Sequence, residues 1–149
     1  MMINIEDRLA IEDLYARNLW ALDLSNAKAF SATFTPDGVL GMREDHRGAA
    51  AIEAFVAALA KDLPAAWSNH HMSALTLSAA GSDVVAHSYI IRVHRLPTQS
   101  RNNCSIIWSG YSRDRCVKRG GTWLFAERVL RAWEGEIAAP ASIKKGVAA

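Results

Sequence analysis

Four strand-like segments decide the fold of this chain: HMSALTL (His71–Leu77), VVAHSYIIRVHR (Val84–Arg95), CSIIWSGYSRDRCVK (Cys104–Lys118) and TWLFAERVLRA (Thr122–Ala132). Together they are rich in valine, isoleucine, tryptophan and tyrosine, and their polar and apolar residues alternate with a period near two, which is typical of strands. Short joints connect them at residues 80–83, 97–103 and 119–121. The last joint contains Gly120 and Gly121, which predict a tight hairpin. The four segments therefore predict an antiparallel meander.

The chain before these strands has helical spacing. Asn4 can cap a helix that starts at Ile5, and Asp7 lies in its first turn, where the helix dipole favours an anion. One face of this helix is marked by Ile11, Leu14, Tyr15, Asn18, Leu19 and Leu22. Three more elements are predicted before Pro64: a short helix over 25–34 that ends at the turn 36–38, a strand over 39–42 and a helix over 49–63.

Helices followed by a meander predict the α+β class. We expect a long, curved, mainly antiparallel sheet that wraps around the N-terminal helices as a cone and leaves an apolar pocket inside. The length of 149 residues predicts one domain over 1–149. Its ordered core should cover about 5–134, and the tail 135–149 should fray.

Composition excludes several classes of protein. The chain is 50% hydrophobic and 21% charged, which is sufficient for a globular core and excludes general disorder. A net charge of +2 predicts neither a nucleic-acid partner nor a membrane-surface partner. The most basic stretch, residues 113–119, is therefore expected to be a solvated face.

The expected location is the cytoplasm. Residues 1–8 contain Glu6 and Asp7 and lack a basic region followed by an apolar run, so no signal peptide is predicted. The longest apolar stretch, 48–63, is interrupted by charged residues and should not span a membrane. Cys104 and Cys116 fit reduced thiols better than a disulfide framework.

The motifs of metal and cofactor sites are absent from the sequence. His70 and His71 are adjacent, so on a strand they face opposite sides, and so do His87 and His94. No metal-ligand spacing or Gly-x-Ser-x-Gly elbow occurs, and Gly120-Gly121 joins two strands rather than cradling a phosphate. We therefore expect no metal and no cofactor.

Acid–base chemistry remains. Histidine is the commonest general base, and a carboxylate that accepts one ring N–H fixes the tautomer and stabilises the imidazolium. Asp23, near the end of a mostly apolar helix face, could be that carboxylate. It could equally cap the next helix at Ser25-Asn26, and the sequence alone leaves both interpretations open.

Several motifs resemble those of a known family: Asp7–Tyr15, Ala21-Leu22-Asp23, Phe34–Gly38, His70-His71, Gly120–Phe125 and Glu127-Arg128. Together they look like a SnoaL-like protein of the nuclear transport factor 2-like superfamily, which has a cystatin-like fold. The resemblance covers about 5–132. Within the family the sequence is most similar to scytalone dehydratase and hexachlorocyclohexane dehydrochlorinase, cofactor-free lyases that use an Asp–His pair.

The resemblance implies four catalytic residues: Asp23, His71, Arg128 and Tyr15. His71 would be the base and Asp23 its orienting partner, within about 2.6–3.2 Å of it, while His70 would point away. Arg128 or Tyr15 would stabilise developing negative charge. The substrate contacts expected around them are Leu19, Trp20, Leu22, Val39, Phe55, Trp67, His94, Trp108 and Ser112.

The favoured function is a lyase, a dehydratase or dehydrohalogenase, acting on a small hydrophobic or aromatic ring compound. The same proton abstraction could begin an isomerisation or a polyketide cyclisation. A non-catalytic binding protein, or a scaffold resembling the small subunit of a ring-hydroxylating dioxygenase, is the alternative. Because the family often exposes one apolar sheet face, we also expect a homo-oligomer, a dimer or a trimer. The aromatic residues expected to line either the pocket or this interface are Trp67, Trp108, Trp133 and Tyr89.

Overall fold

The computed structural model describes residues 3–62, 67–134, 140 and 143. Three helices and six strands occur in this part of the chain. The helices are α1 (Ile5–Asp23), α2 (Ala27–Ser31) and α3 (Ala49–Asp62). The strands are β1 (Phe34–Gly41), β2 (Asp45–Arg47), β3 (Ser68–Ala80), β4 (Asp83–His94), β5 (Ser105–Arg119) and β6 (Thr122–Ala132).

The six strands form one sheet in the order β2-β1-β6-β5-β4-β3. Strands β3 to β6 form the antiparallel meander that the sequence predicts. Strand β1 lies parallel to β6 and is antiparallel to β2. The α+β class and the curved, mainly antiparallel sheet are therefore confirmed. Gly120 and Gly121 have φ of +54° and +84° at the β5–β6 hairpin, as a type I′ turn requires.

Helix α1 begins and ends at recognisable caps. The side chain of Asn4 accepts the backbone N–H of Asp7 at 2.7 Å, which confirms the predicted N-cap. At the other end Ser25 adopts φ +55°, while the N–H groups of Ser25 and Asn26 donate to the carbonyls of Leu22 and Ala21. This Schellman motif ends the helix and fixes the position of its last residue, Asp23.

Aromatic and aliphatic side chains fill the space between the helices and the concave face of the sheet. Ile11, Leu14 and Tyr15 of α1 are fully buried, and the ring of Phe125 lies 5.0 Å from that of Tyr15 in an edge-to-face contact. No helix in the described ranges is long and apolar enough to cross a membrane. Cys104 is exposed, Cys116 is buried, and both are free thiols.

The first strand departs from its predicted bounds. The short helix predicted over 25–34 is limited to α2, and β1 continues through the predicted turn at 36–38. Pro36 and Asp37 are exposed there, and the β1–β6 register shifts between Phe34 and Val39. A proline without an N–H is tolerated at such an irregular point of a strand. The polar run after β1 forms β2, which was not predicted. The end of the predicted third helix, Leu63, and the tail from 135, apart from 140 and 143, lie outside the described residues.

A β-bulge in β3 decides which histidine faces the helices. Ser73 pairs with Tyr89 and Thr76 with His87, so three steps along β3 correspond to two along β4. The extra residue, Ala74, has φ +53°. Before the bulge His70 and Met72 face the helices, and after it Leu75 and Leu77 do. One inserted residue thus exchanges the two faces of the strand.

Candidate active site

A cavity of about 410 Å³ lies between the helices and the concave sheet face. Its walls are mostly apolar, with Leu19 and Leu22 from α1 and Phe55 from α3 among them. Met42, Leu59 and Ile107 also line it and are exposed, so they form the rim. Arg128, Leu40 and Val56 line it and are buried, so they form the floor. A cavity of this size and lining suits a small, largely hydrophobic molecule.

Asp23 and His70 form a paired unit in the cavity wall. Asp23 Oδ1 lies 2.6 Å from Nδ1 of His70, and Asp23 Oδ2 accepts the backbone N–H of the same residue at 3.0 Å. Both side chains are mostly buried and both line the cavity. Strand β3 is an edge strand, which leaves a backbone N–H without a strand partner. The carboxylate at the end of α1 therefore fixes both the backbone and the ring of His70.

This geometry selects one tautomer of His70. An ionised carboxylate only accepts hydrogen bonds, so Nδ1 carries the proton that Asp23 receives. Nε2 of the neutral ring is then unprotonated and can accept a proton. Such an arrangement can remove a proton from a bound molecule and stabilise the imidazolium that forms.

The prediction that His71 pairs with Asp23 is wrong. His71 is exposed, and its Nε2 lies 3.1 Å from Oδ1 of Asn69. The prediction followed from the family resemblance. Simple alternation backward from Leu77 and Leu75 would also place His71 on the inner face, and the bulge at Ala74 interrupts that alternation. The alternative role for Asp23, capping the next helix, is also excluded, because the side chain of Asn26 accepts the backbone N–H of Ala29 there.

Arg128 supplies a buried positive charge on the cavity floor. Its guanidinium carbon lies 4.9 Å from the ring centroid of Tyr15 and 4.9 Å from that of Phe125. The residue is 1% exposed, and Nη1 has no hydrogen-bond partner in the described part of the chain. Cation–π contacts with both rings hold the guanidinium in place. A ligand oxygen near the floor could therefore accept from this arginine.

A buried polar network lies behind Arg128 and involves Tyr15. Asp114 is the cross-strand neighbour of Arg128 and accepts hydrogen bonds from the Tyr15 hydroxyl (2.5 Å), the Ser112 hydroxyl (2.8 Å) and the Val129 N–H (3.2 Å). Burial raises the pKa of Asp114, and the nearby Arg128 charge opposes that rise. Burial also raises the pKa of Tyr15, and the Asp114 charge adds to that rise. The hydroxyl of Tyr15 is committed to Asp114, and the residue does not line the cavity.

Arg92 is a second arginine in the cavity wall. On β4 it is the register partner of His70 on β3 and of Trp108 on β5, so the three side chains form a row on the concave face. Its Nε donates to the Ser68 hydroxyl at 2.8 Å. Ser68 also lines the cavity. Sequence reasoning missed this residue.

The predicted substrate contacts divide into two groups. Leu19, Leu22, Phe55 and Trp108 line the cavity. Those that do not line it are Trp20, Val39, Trp67, His94, Ser112 and, from the catalytic set, Tyr15 and His71. Trp20 is 67% exposed on the outer side of α1, and β1 turns Leu40 rather than Val39 inward. His94 and Ser112 are buried outside the cavity, Ser112 in a hydrogen bond with Ser88.

The missed residues differ in how well the sequence could have identified them. Val84, Ala86, Ser88 and Ile90 are buried at every second position of β4, and the same alternation continues to Arg92. The signal for Arg92 was therefore present. Asp114 follows the inward positions of β5 in the same way. No alternation could identify His70, because the bulge lies between it and the leucines.

Comparison with known proteins agrees with this architecture. A family model described as a SnoaL-like domain matches residues 4–129. A protein of Novosphingobium aromaticivorans described as NTF2-like with a cystatin-like fold is 22% identical, with a TM-score of 0.80 over 95% of this chain and 91% of that one. ActVI-ORFA from Streptomyces coelicolor is 19% identical, with a TM-score of 0.79 over 87% and 97%.

A second N. aromaticivorans protein, provisionally named a scytalone dehydratase, is 21% identical, with a TM-score of 0.71 over 95% of this chain and 97% of that one. Identities this low show a common fold and nothing more. No curated protein matches the chain significantly. The family model covers most of the chain, and the protein belongs to the SnoaL-like domain family.

Proposed function

We propose that the protein is a cofactor-independent lyase, of the dehydratase or dehydrohalogenase type, in which His70 is the general base. The observation that carries the proposal is the 2.6 Å contact between Asp23 and His70 inside an apolar cavity. Family membership supports the coarser statement that the chain has a small-molecule-binding or catalytic role. The substrate class that suits the apolar walls is a small hydrophobic or aromatic ring compound.

The first step is removal of a proton from carbon next to an electron-withdrawing group. Nε2 of His70 accepts the proton, and Asp23 stabilises the resulting imidazolium. The electron pair of the C–H bond forms the new double bond, while the leaving group departs as halide, or as water with a proton returned by His70. Arg128 stabilises the negative charge that develops on the electron-withdrawing group. Tyr15 acts only indirectly, through the Asp114 network beside Arg128.

The adjacent histidines provide a matched test. The assay follows the conjugated enone formed from 4-hydroxy-4-phenylbutan-2-one and from its 4-chloro analogue. His70→Gln should reduce turnover about a hundredfold or more, the scale of general base catalysis. His71→Gln makes the same chemical change on the exposed face and should leave turnover at the parent rate. Asp23→Asn should be similarly impaired, because the amide can hold the wrong tautomer.

A hydrogen-exchange experiment separates the lyase from the alternative functions. The parent protein in D₂O with 4-phenylbutan-2-one, which has no leaving group, should exchange protons next to the carbonyl in an His70-dependent way. Exchange without elimination from either substrate would favour an isomerase or cyclase. Parent-rate elimination by His70→Gln, or neither reaction with the parent protein, would refute the lyase and favour a binding or scaffold role.

A further inference from the structure

The charged side chains of the cavity do not balance. In the described part of the chain, two guanidinium groups line it, those of Arg92 and Arg128, and one carboxylate does, that of Asp23. The carboxylate is engaged by His70 through two hydrogen bonds. Asp114 faces Arg128 from behind, and its oxygens are committed to Tyr15, Ser112 and Val129. Arg128 therefore has the Asp114 carboxylate beside it, whereas Arg92 has no carboxylate partner among the described residues.

Arg92 is the more accessible of the two arginines. It is partly buried, whereas Arg128 is 1% exposed. Its Nε donates to a neutral hydroxyl, that of Ser68, and among the described residues no carboxylate forms an ion pair with it. A guanidinium has five N–H donors in a planar fork that matches a carboxylate. One hydrogen bond to Ser68 orients this fork and leaves most of its donors for a ligand.

The neighbours of Arg92 suit the rest of such a ligand. Trp108 lies on one side and His70 on the other, as cross-strand partners on the concave face. The indole offers a flat apolar surface, and the buried residues Ile90 and Leu40 line the cavity more deeply. A ring could pack there while a charged group stays beside Arg92. Partial desolvation strengthens a charged hydrogen bond at this depth relative to one in water.

We propose that Arg92 is an anion subsite and that the natural ligands are apolar or aromatic carboxylates rather than neutral compounds. The inference deepens the proposed function and rests on it for the identification of this cavity as the substrate site. Arg92 is then a specificity-determining residue, distinct from Arg128, which faces charge that develops during the reaction. The carboxylate lies next to His70, so the subsite also fixes which carbon of the ligand approaches Nε2.

Equilibrium binding tests this subsite without turnover. Isothermal titration calorimetry compares 2-naphthoate with 2-naphthamide, a neutral ligand of nearly the same shape and without a leaving group. The parent protein should bind the carboxylate about tenfold or more tightly, the scale of a hydrogen bond to a charged group. Arg92→Gln should remove the preference, and Arg92→Lys should restore part of it. Arg113→Gln makes the same charge change on the convex face and should behave as the parent.

The amide serves as the control for folding. Its affinity should stay within about twofold of the parent value in Arg92→Gln, since the apolar walls are unchanged. Equal affinities for the two ligands in the parent protein, no measurable binding of 2-naphthoate, or a preference that survives Arg92→Gln would each overturn the subsite. Failure of the His70→Gln test alongside a preserved carboxylate preference would refute the catalytic proposal and leave the anion subsite standing.

Discussion

The concave and convex faces of the sheet are formed by the same strands and have different chemistry. On β3 and β4, His70 and Arg92 face the cavity, whereas His71 and Tyr89 are exposed on the other side. The concave face has charged groups held by specific partners inside an apolar cavity. The convex face has exposed aromatic and basic side chains in contact mainly with water. Neighbouring residues of one type on the two faces therefore provide controls for each other. The effect of removing a charged group on stability or activity is expected to increase with its burial.

Arg128 should have the largest effect on stability. Arg128→Met removes the positive charge beside buried Asp114, and we expect the free energy of unfolding to fall by about 3–5 kcal/mol near neutral pH. The exposed counterpart, Arg113→Met, should change it by less than about 0.5 kcal/mol. Urea denaturation of the two variants measures the difference. Equal effects would mean that the buried guanidinium does not compensate Asp114.

The same variant has an expected pH dependence. Burial raises the pKa of Asp114, so the folded state binds its proton more tightly than the unfolded state does. The contribution of Asp114 to the free energy of unfolding is fully present below its unfolded-state pKa of about 3.9. It is lost as the pH rises through the folded-state pKa. Arg128 opposes the shift, so the loss should be steeper in Arg128→Met. Urea midpoints at several pH values between 4 and 7 would detect it.

The convex face should carry any self-association. Tyr89 and Trp133 are each about half exposed and make an edge-to-face contact with ring centroids 5.1 Å apart. Homo-oligomer formation stays a prediction. If it occurs here, Trp133→Ser should weaken association by about 2 kcal/mol, roughly thirtyfold. Trp20→Ser, at an exposed tryptophan of α1, should not. Light scattering over a concentration series measures this, and a monomeric parent protein would contradict it.

Gly110 tests how closely the concave face is packed. A Cβ there would overlap the indole of Trp108 and the carbonyl oxygen of Arg131. Gly110→Ala should therefore lower the free energy of unfolding by about 1–3 kcal/mol and displace Trp108 from the cavity wall. Its outward neighbour gives the control Ser109→Ala, expected within about 0.5 kcal/mol. Unfolding titrations with tryptophan fluorescence report both effects, and parent-like behaviour of Gly110→Ala would contradict the close packing.

A substitution at the β3 bulge should raise the free energy of unfolding, and by less than the losses described above. Ala74 has φ +53°, a conformation in which glycine is not strained. Ala74→Gly should stabilise the fold by up to about 1 kcal/mol. Ala79→Gly, at an exposed position of the same strand, should destabilise it by about 0.5–1 kcal/mol. If both changes destabilise equally, Ala74 is not strained and the explanation for the inward position of His70 weakens.

These comparisons explain what the sequence could predict. Alternation and helical spacing identified the meander, the Asn4 cap and α1. Each of these features depends on residues that are close in sequence, within one or two helical turns or a few strand positions. The same patterns marked Asp23 as a carboxylate at the end of an apolar helix face but left its role open, and the family resemblance assigned it as the partner of a histidine. The resemblance assigned His71 rather than His70, and strand alternation could not correct it because a single inserted residue reverses the phase of β3. Trp20 was assigned to the pocket by residue type and His94 by the family resemblance, while burial depends on how the helices and strand ends pack.

The smallest expected effect concerns His87, on the convex side of β4. Partial burial lowers the pKa of His87, and its cross-strand neighbour Arg113 adds to that effect. The unfolded state then binds the His87 proton more tightly than the folded state does. The contribution of His87 to the free energy of unfolding is therefore fully present above its unfolded-state pKa of about 6.5, and it is lost as the pH falls through the folded-state pKa. His87→Gln should flatten the dependence of the urea midpoint on pH between 7 and 5. A steeper dependence in His87→Gln would show that the folded protein favours the charged ring. The convex face would then hold a charge by specific contacts, as the concave face does.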